Sequence, residues 1–162
     1  MKNWTELENS SFFDANARER ALGMVDKGTF TEFLNPLDRY CSPHLPVLGT
    51  AVEFDDGTVC GVGLLGKHPV FVVSMEGKFI GGAIGEVNGG KMVATIRLAL
   101  KAAADIKTKY PEEYAARRPL VAVSFETGGV RLHEANAGLL AHAEVMDACL
   151  LYTSDAADDM QC

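Results

Sequence analysis

The sequence lacks the features that mark membrane, nucleic-acid-binding and metal-binding proteins. No stretch approaches the roughly 20 apolar residues of a membrane span, and acidic and polar residues interrupt the N-terminus before a signal-peptide core can form. The net charge of −7 comes without the clustered Lys and Arg that phosphate binding needs. The four cysteines are scattered, with no CxxC pair and no histidines at ligand spacing. We therefore expect a cytoplasmic protein with reduced thiols, no metal, and no membrane or nucleic-acid partner.

Common nucleotide-binding and hydrolase motifs are also missing. Neither of the two glycine-rich clusters carries the Lys-Ser/Thr pair of a P-loop, and GGAIGE is not the GxGxxG of a dinucleotide site. No serine lies in a GxSxG context, which argues against a serine hydrolase. The 162 residues are enough for one domain with a real core and too few for two of ordinary size.

Apolar runs and turn residues in the first half of the chain predict a helix followed by an antiparallel sheet. A helix is expected over residues 11–25, with Ser11 or Asp14 as its cap. Three strands are expected over residues 51–54, 58–65 and 69–75, joined as a meander by the turn pairs Asp56-Gly57 and Gly66-Lys67. The third strand is apolar almost throughout, so it should be buried on both faces.

Two units of strand, glycine turn and helix make up the second half. The strand over residues 69–75 leads into the glycines of residues 79–91 and a helix that ends near Lys107. A strand over residues 120–125 leads into a second glycine pair and a last helix. The predicted buried stripe of that helix is Leu132, Ala135, Leu139, Ala143 and Met146. If the two strands are parallel, both turns lie at the same edge of the sheet.

Backbone amides at two such turns suit a reaction that passes through an enolate or an oxyanion. Amides at the start of a helix carry partial positive charge, and one amide from each turn could hold one carbonyl oxygen. With no nucleophile, metal or acid–base pair in evidence, decarboxylation or carboxyl transfer of an acyl thioester fits best. The two glycine pairs concerned are Gly81-Gly82 and Gly128-Gly129.

Side chains and residues next to the turns are candidates for substrate contact. Ala83, Glu86 and Arg131 are the predicted substrate-binding residues. Glu86 could instead stabilise the start of the helix, and Arg131 could instead lock its turn through a salt bridge. His133 and Glu134, after the second turn, are expected more often to be solvated or at an interface than to transfer protons. His44, between two prolines in SPHLP, is expected to be an exposed loop histidine rather than a catalytic one.

Four stretches together resemble the β subunit of biotin-independent malonate decarboxylase. They are FLNPLDRYCSPHLPVLG, EFDDGTVCGVGLL, SMEGKFIGGAIGEVNGGK and ETGGVRLHEANAGLLAHAE, and the resemblance covers roughly residues 12–148. It implies an α/β domain of the crotonase/ClpP-like carboxyltransferase fold, in which an antiparallel hairpin leads into the strand–turn–helix units. By this likeness the second glycine turn, GGVR here and GGAR in related carboxyltransferases, is an oxyanion-hole turn. The catalytic amides that the resemblance implies are those of Gly81, Gly82, Gly128, Gly129 and Val130.

The resemblance also implies an activity and partners. It implies that a malonyl thioester loses CO2 and becomes an acetyl thioester, with a γ subunit completing the active site. The substrate would be carried on a phosphopantetheine-like group of an acyl carrier protein subunit, with no biotin and no cofactor bound by this chain. The chain departs from the family pattern at Asn88, where histidine is common, and at Gly90, where alanine is common.

Two other functions stay open at this point. The chain could be the carboxyltransferase subunit of a biotin-dependent acyl-CoA carboxylase, although no zinc-ribbon cysteines precede the domain. It could also be a non-catalytic fragment or scaffold that binds the γ subunit.

The last residues of the chain differ in character from the rest. CLLYTSDAADDMQC turns acidic and resembles a translated sequencing adapter. We expect residues 1–148 to be a carboxyltransferase-like domain that is incomplete at its C-terminus, and residues 149–162 to be a non-native tail. By the resemblance, the family subunit is considerably longer, and the isolated chain would be inactive.

Overall fold

The computed structural model describes residues 11–48 and 54–158. They form a four-stranded mixed sheet with helices on both faces, in the order β1-β2-β3-β4. Four strands and four α-helices are assigned within those residues: α1 (Ala17–Gly23), β1 (Thr31–Phe33), β2 (Thr58–Leu65), β3 (His68–Met75), α2 (Glu86–Lys109), α3 (Tyr114–Arg117), β4 (Leu120–Ser124) and α4 (Asn136–Asp158). No helix of this part of the chain is both long and apolar enough to cross a membrane.

The hairpin between β2 and β3 confirms the prediction. The two strands pair antiparallel from Thr58–Met75 to Leu65–His68, with Gly66 in the left-handed region at the turn. Strand β3 separates two hydrophobic clusters, because Val70 and Val72 face α1 while its alternate residues face α2 and α4. It is therefore buried on both faces, as the apolar run predicts.

The first strand of the predicted meander is not assigned among the described residues. Residues 51–53 lie outside the described part of the chain, and Phe54 is not in a strand. The antiparallel neighbour of β2 is β1, which pairs Phe33 with Cys60, so Asp56-Gly57 is not the turn of a hairpin. A three-residue strand has too short a pattern to stand out in the sequence.

Helix α1 begins later than predicted. Its cap is Asn16 rather than Ser11 or Asp14, and the Asn16 side chain and Glu19 form a reciprocal capping box. Ala17 and Ala21 then pack against the sheet with Val59, Val70 and Val72 of the strands.

Helix α2 follows the predicted amphipathic pattern. It begins at Glu86, and Met92, Ile96 and Ala103 are all buried. Together with Val73 and Met75 of β3 and Val145 of α4, Met92 and Ile96 form the larger hydrophobic cluster.

The predicted buried stripe of α4 is wrong. Leu132, Leu139 and Met146 are 79%, 54% and 48% exposed, and the inward face carries Gly138, Val145 and Ala148 instead. The helix starts only at Asn136, so residues before it do not set its phase. Its inward face is built of small residues because α4 lies close against α2.

The last turns of α4 pack against the sheet. Cys149 and Tyr152 contact the larger hydrophobic cluster, and the Tyr152 hydroxyl accepts a hydrogen bond from the Val121 amide at 3.2 Å. The helix runs on to Asp158, whereas the sequence pattern indicates a break near Thr153.

The close approach of α2 and α4 gives a matched pair of glycine substitutions. A Cβ on Gly89 would lie 2.8 Å from Ala141 Cβ, whereas a Cβ on the adjacent Gly90 would meet nothing within 4 Å. Gly90→Ala should stabilise the fold by up to about 1 kcal/mol through helix propensity. Gly89→Ala should lose that gain to overpacking, which costs about 1–3 kcal/mol.

Urea unfolding of both variants measures the two effects against each other. Because Gly89 and Gly90 are neighbours in one helix, both substitutions gain the same helix propensity, and this gain cancels in the difference between the two variants. Equal stability of the two variants would show that α2 and α4 do not pack this closely.

Candidate functional site

The two glycine turns meet at one edge of the sheet. Strands β3 and β4 pair in parallel from Val70–Leu120 to Ser74–Ser124, so both run out in the same direction. Beyond them, the Gly128 amide donates to Gly81 O at 3.0 Å. A parallel bridge then joins Ile84 to Val130. The predicted turns are thus in direct backbone contact.

The first turn has an unusual left-handed backbone. Ile80, Gly81 and Gly82 have φ values of 50°, 65° and 68°. A β-branched residue such as Ile80 rarely adopts this region, and such strain costs on the order of 1–3 kcal/mol. Glycine is required at position 82 for a second reason, because a Cβ there would lie 2.0 Å from Glu126 O of the second turn.

Three of the five candidate amides already have acceptors. Gly128 donates to Gly81 O, Gly82 to Phe79 O, and Gly129 to the Thr127 hydroxyl. Among the described residues, the amides of Gly81 and Val130 donate to no protein acceptor. One unpaired amide therefore remains on each turn.

A buried ion cluster lies beneath the second turn. Arg131 Nη1 contacts Asp55 Oδ2 at 2.6 Å and Glu134 Oε1 at 2.9 Å, and all three side chains are 0% exposed. Burial alone would lower the pKa of Arg131, but its hydrogen bonds and charge interactions with Asp55 and Glu134 outweigh burial and raise that pKa. Arg131 therefore makes the salt bridges that its alternative role predicts.

Glu134 connects this cluster to the start of α2, directly after the first turn. Its second oxygen, Oε2, accepts the amide N–H of Glu86, the first residue of α2. The carboxylate thus sits at the positive end of α2, which favours negative charge. A Cβ on Gly85 would lie 2.4 Å from the same oxygen, so glycine is needed for this approach.

Asn88 lies in the first helical turn of α2, directly after the first glycine turn. Its side chain is fully buried, accepts the Gly85 amide at 2.6 Å and donates to Ala83 O at 3.1 Å. Asn88 therefore holds the entry to α2 by its own hydrogen bonds. Ala83 directly follows the first glycine turn, and its amide donates to Ile80 O.

Glu86, His44 and Ser42 form a polar group beside the first turn. The Ser42 hydroxyl, which is buried, donates to Glu86 Oε2 at 3.1 Å, and His44 Nε2 lies 3.8 Å from the same oxygen. Glu86 is half-exposed and lies at one end of a cavity of about 530 Å³ between α2 and α4. The cavity is lined mainly by apolar and small residues, among them Gly89, Val93, Ala137 and Leu140, with the Arg97–Glu144 ion pair at its far side.

Some of these residues could not be singled out from the sequence. Glu134 was expected to be solvated or at an interface, yet it is buried and ion-paired. Asp55 precedes a predicted turn, and its partner Arg131 is 76 residues away. The only local signal for Asp55 is the unusual pair of aspartates before Gly57. No group of His, Cys, Asp and Glu able to hold a metal occurs in the described ranges.

Comparison with known proteins relates the chain to carboxyltransferases. It is 62% identical over 147 residues to the malonyl-S-ACP:biotin-protein carboxyltransferase MADC of Malonomonas rubra, covering 91% of this chain and 46% of that protein. It is 31% identical to the propionyl-CoA carboxylase β chain of Saccharopolyspora erythraea, covering 80% of this chain and 20% of that one. No protein-family model matches the chain.

Solved structures give the same relationship. The fold matches a chain of a Pseudomonas malonate decarboxylase hetero-tetramer in complex with malonate with a TM-score of 0.73 and 38% identity, covering 90% of this chain and 50% of that chain. The chain of a transcarboxylase 12S structure, at 24% identity and a TM-score of 0.65, shares the fold. The expected crotonase-like carboxyltransferase fold is confirmed. The chain spans about half the length of the Malonomonas relative and of the Pseudomonas malonate decarboxylase chain.

The buried cluster and a surface ion pair give a second matched test. Arg131→Met leaves Asp55 and Glu134 buried without their cation, which should cost about 3–5 kcal/mol of unfolding free energy. Arg97→Met removes the exposed Arg97–Glu144 pair at 3.2 Å, which should cost at most about 1 kcal/mol. Urea titrations of both variants give the difference; equal losses would mean that the cluster is not desolvated.

Proposed function

Because the chain has the crotonase-like carboxyltransferase fold and resembles the β-type subunit of malonate decarboxylase, we propose that it acts on a malonyl thioester. The thioester carbonyl lies at the two glycine turns, and the carboxyl group departs while the turns stabilise the resulting enolate. The acetyl thioester is the product.

The observation that carries this proposal is the pair of unsatisfied amides on adjoining turns. When CO2 leaves, the electron pair of the broken C–C bond moves onto the thioester oxygen. Gly81 and Val130 each offer an N–H with no protein acceptor among the described residues. Such donors stabilise developing negative charge without a nucleophile or a metal. Gly82, Gly128 and Gly129 then serve the site by shaping the turns.

The candidate side chains take different roles in this proposal. Arg131 fixes the second turn through its salt bridges, since its side chain is fully buried. Glu86 borders the cavity between α2 and α4, and we place the thioester's carrier arm near this opening. Ala83, directly after the first turn, lies beside the path by which the thioester reaches the two turns.

We propose two protein partners, a γ subunit and an acyl carrier protein. Support comes from the relative that is named for malonyl-S-ACP and from the hetero-tetrameric and hetero-dimeric malonate decarboxylase structures. A further support is the apolar surface of α4, where Leu139 and Leu140 are 54% and 67% exposed. Contiguous exposed apolar side chains on one helix are typical of a subunit interface.

The fate of the carboxyl group separates two versions of this function. The Malonomonas relative is named for carboxyl transfer to a biotin protein, whereas the Pseudomonas structures are of a decarboxylase. Both reactions need the same enolate. We propose release as CO2 as the first version and transfer to a biotin protein as the second.

A radioactive malonyl thioester on acyl carrier protein tests the proposal. In the complex of this subunit with its γ subunit, labelled CO2 should appear without any biotin protein. Appearance of the labelled carboxyl group on an added biotin protein, with no free CO2, would support carboxyl transfer. No turnover under either condition would leave the chain as a non-catalytic scaffold.

The role of the Val130 amide can be tested by an amide-to-ester replacement. An ester at Val130 removes the N–H and keeps the side chain, so kcat should fall about 100- to 1000-fold with little change in KM. The matched control is an ester at Ala135, whose N–H already donates to Leu132 O. Equal activity of the two esters would exclude Val130 as an oxyanion donor.

A further inference from the structure

The proposed decarboxylation leaves a carbon atom that must gain a proton. The amides of Gly81 and Val130 stabilise the enolate oxygen, but a backbone amide is far too weak an acid to protonate carbon. Histidine is the side chain whose ordinary pKa suits this task near neutral pH. Two histidines flank the turns: His44 in the loop before β2, and His133 directly after the second turn.

The two histidines differ in their polar contacts. His133 is exposed and has no hydrogen-bond or ion-pair partner among the described residues. His44 is half-exposed, and its Nε2 lies 3.8 Å from Glu86 Oε2. Its other ring nitrogen, Nδ1, has no hydrogen-bond partner in the described part of the chain and is free for a ligand.

The backbone of His44 is fixed as well as its ring. Its amide donates to the Ser42 hydroxyl at 3.2 Å, and that hydroxyl donates to the same Glu86 oxygen at 3.1 Å. Ser42 is fully buried, so the hydroxyl is not free to exchange these partners for water. Glu86 is therefore linked to the His44 backbone through Ser42, and its carboxylate lies within ion-pair distance of the His44 imidazole.

The loop that carries His44 lies against both turns. Its 3-10 segment, Leu45–Leu48, packs on the 3-10 segment Leu132–Glu134 that follows the second turn. Leu45 is fully buried in this contact region. On the other side, Glu86 is the first residue of α2 and borders the 530 Å³ cavity. The loop of His44 thus contacts the start of α2 on one side and the segment after the second turn on the other.

We propose that His44, oriented by Glu86, donates the proton that converts the enolate into the acetyl thioester. The C–C bond to the carboxyl group breaks and CO2 leaves with the electron pair on the enolate. The Nδ1–H bond of the His44 imidazolium then breaks as the new C–H bond forms, and the carbonyl is restored. Water returns a proton to His44. This inference rests on the proposed function with the carboxyl group released as CO2.

The test compares His44→Gln with His133→Gln in the assembled decarboxylase complex. His44→Gln should lower kcat for acetyl thioester formation about 100-fold or more, with KM little changed, since general acid catalysis contributes about 100- to 10,000-fold. His133→Gln should behave as wild type. Glu86→Gln, which disturbs a positioning residue, should fall between them, and added imidazole should restore part of the rate of His44→Ala.

A second readout needs no CO2 release. In heavy water, the wild-type complex should exchange the methyl protons of the acetyl thioester for deuterium by the reverse of the protonation step. His44→Gln should lose this exchange, and His133→Gln should keep it.

The outcomes separate the inference from the function on which it rests. An active wild-type complex in which His44→Gln turns over and exchanges normally would overturn the role of His44 alone. So would methyl exchange that depends on a biotin protein, because the proton would then come from biotin. A wild-type complex that releases no CO2 at all would overturn the proposed function itself.

Discussion

The Glu134 carboxylate is the interaction on which the site depends. One oxygen contacts Arg131 of the second glycine turn, and the other accepts the Glu86 amide at the start of α2, directly after the first turn. A single side chain therefore links two turns that are about 50 residues apart in the chain. Since an oxyanion hole requires two amides from different segments to aim at one atom, a link of this kind fixes their spacing.

Burying the charged groups of this link costs desolvation free energy, and further interactions of the buried cluster offset part of that cost. Two carboxylates and one guanidinium are buried together, and desolvation of such groups can exceed their mutual attraction. The excess negative charge is placed at the positive end of α2, and Phe79 covers the Arg131 guanidinium at 5.5 Å. Strain at Ile80 adds to the cost. These features add little to stability and much to a single defined geometry of the turns.

Local sequence signals were sufficient for the parts of the fold that repeat short patterns. The β2–β3 hairpin follows from Gly66-Lys67 between apolar runs, and the parallel pairing of β3 with β4 follows from two strands that each end in a glycine turn. The buried face of α4 could not be read in this way. Ala141 lies against Gly89 of α2, and Gly138 lies against the backbone of Arg131 and Ile84; such close packing leaves no pattern of large apolar residues in the sequence. The resemblance to a known family supplied the fold where periodicity alone did not.

The candidate site divides in the same manner. Glycine pairs are visible in the sequence because they serve local backbone geometry, whereas the Asp55–Arg131–Glu134 cluster is assembled from partners far apart in the chain. This division bears on how such a site can vary. In the proposed function the turns act through backbone amides, so the side chain that follows the second glycine pair can vary without loss of a donor. Asn88 holds the start of α2 through its own hydrogen bonds. Protonation of the enolate carbon is different, because the proton must come from a side chain or, in carboxyl transfer, from the N–H of biotin. The residues beside Glu86, rather than the glycines, are therefore where decarboxylation and carboxyl transfer would differ in an otherwise shared site.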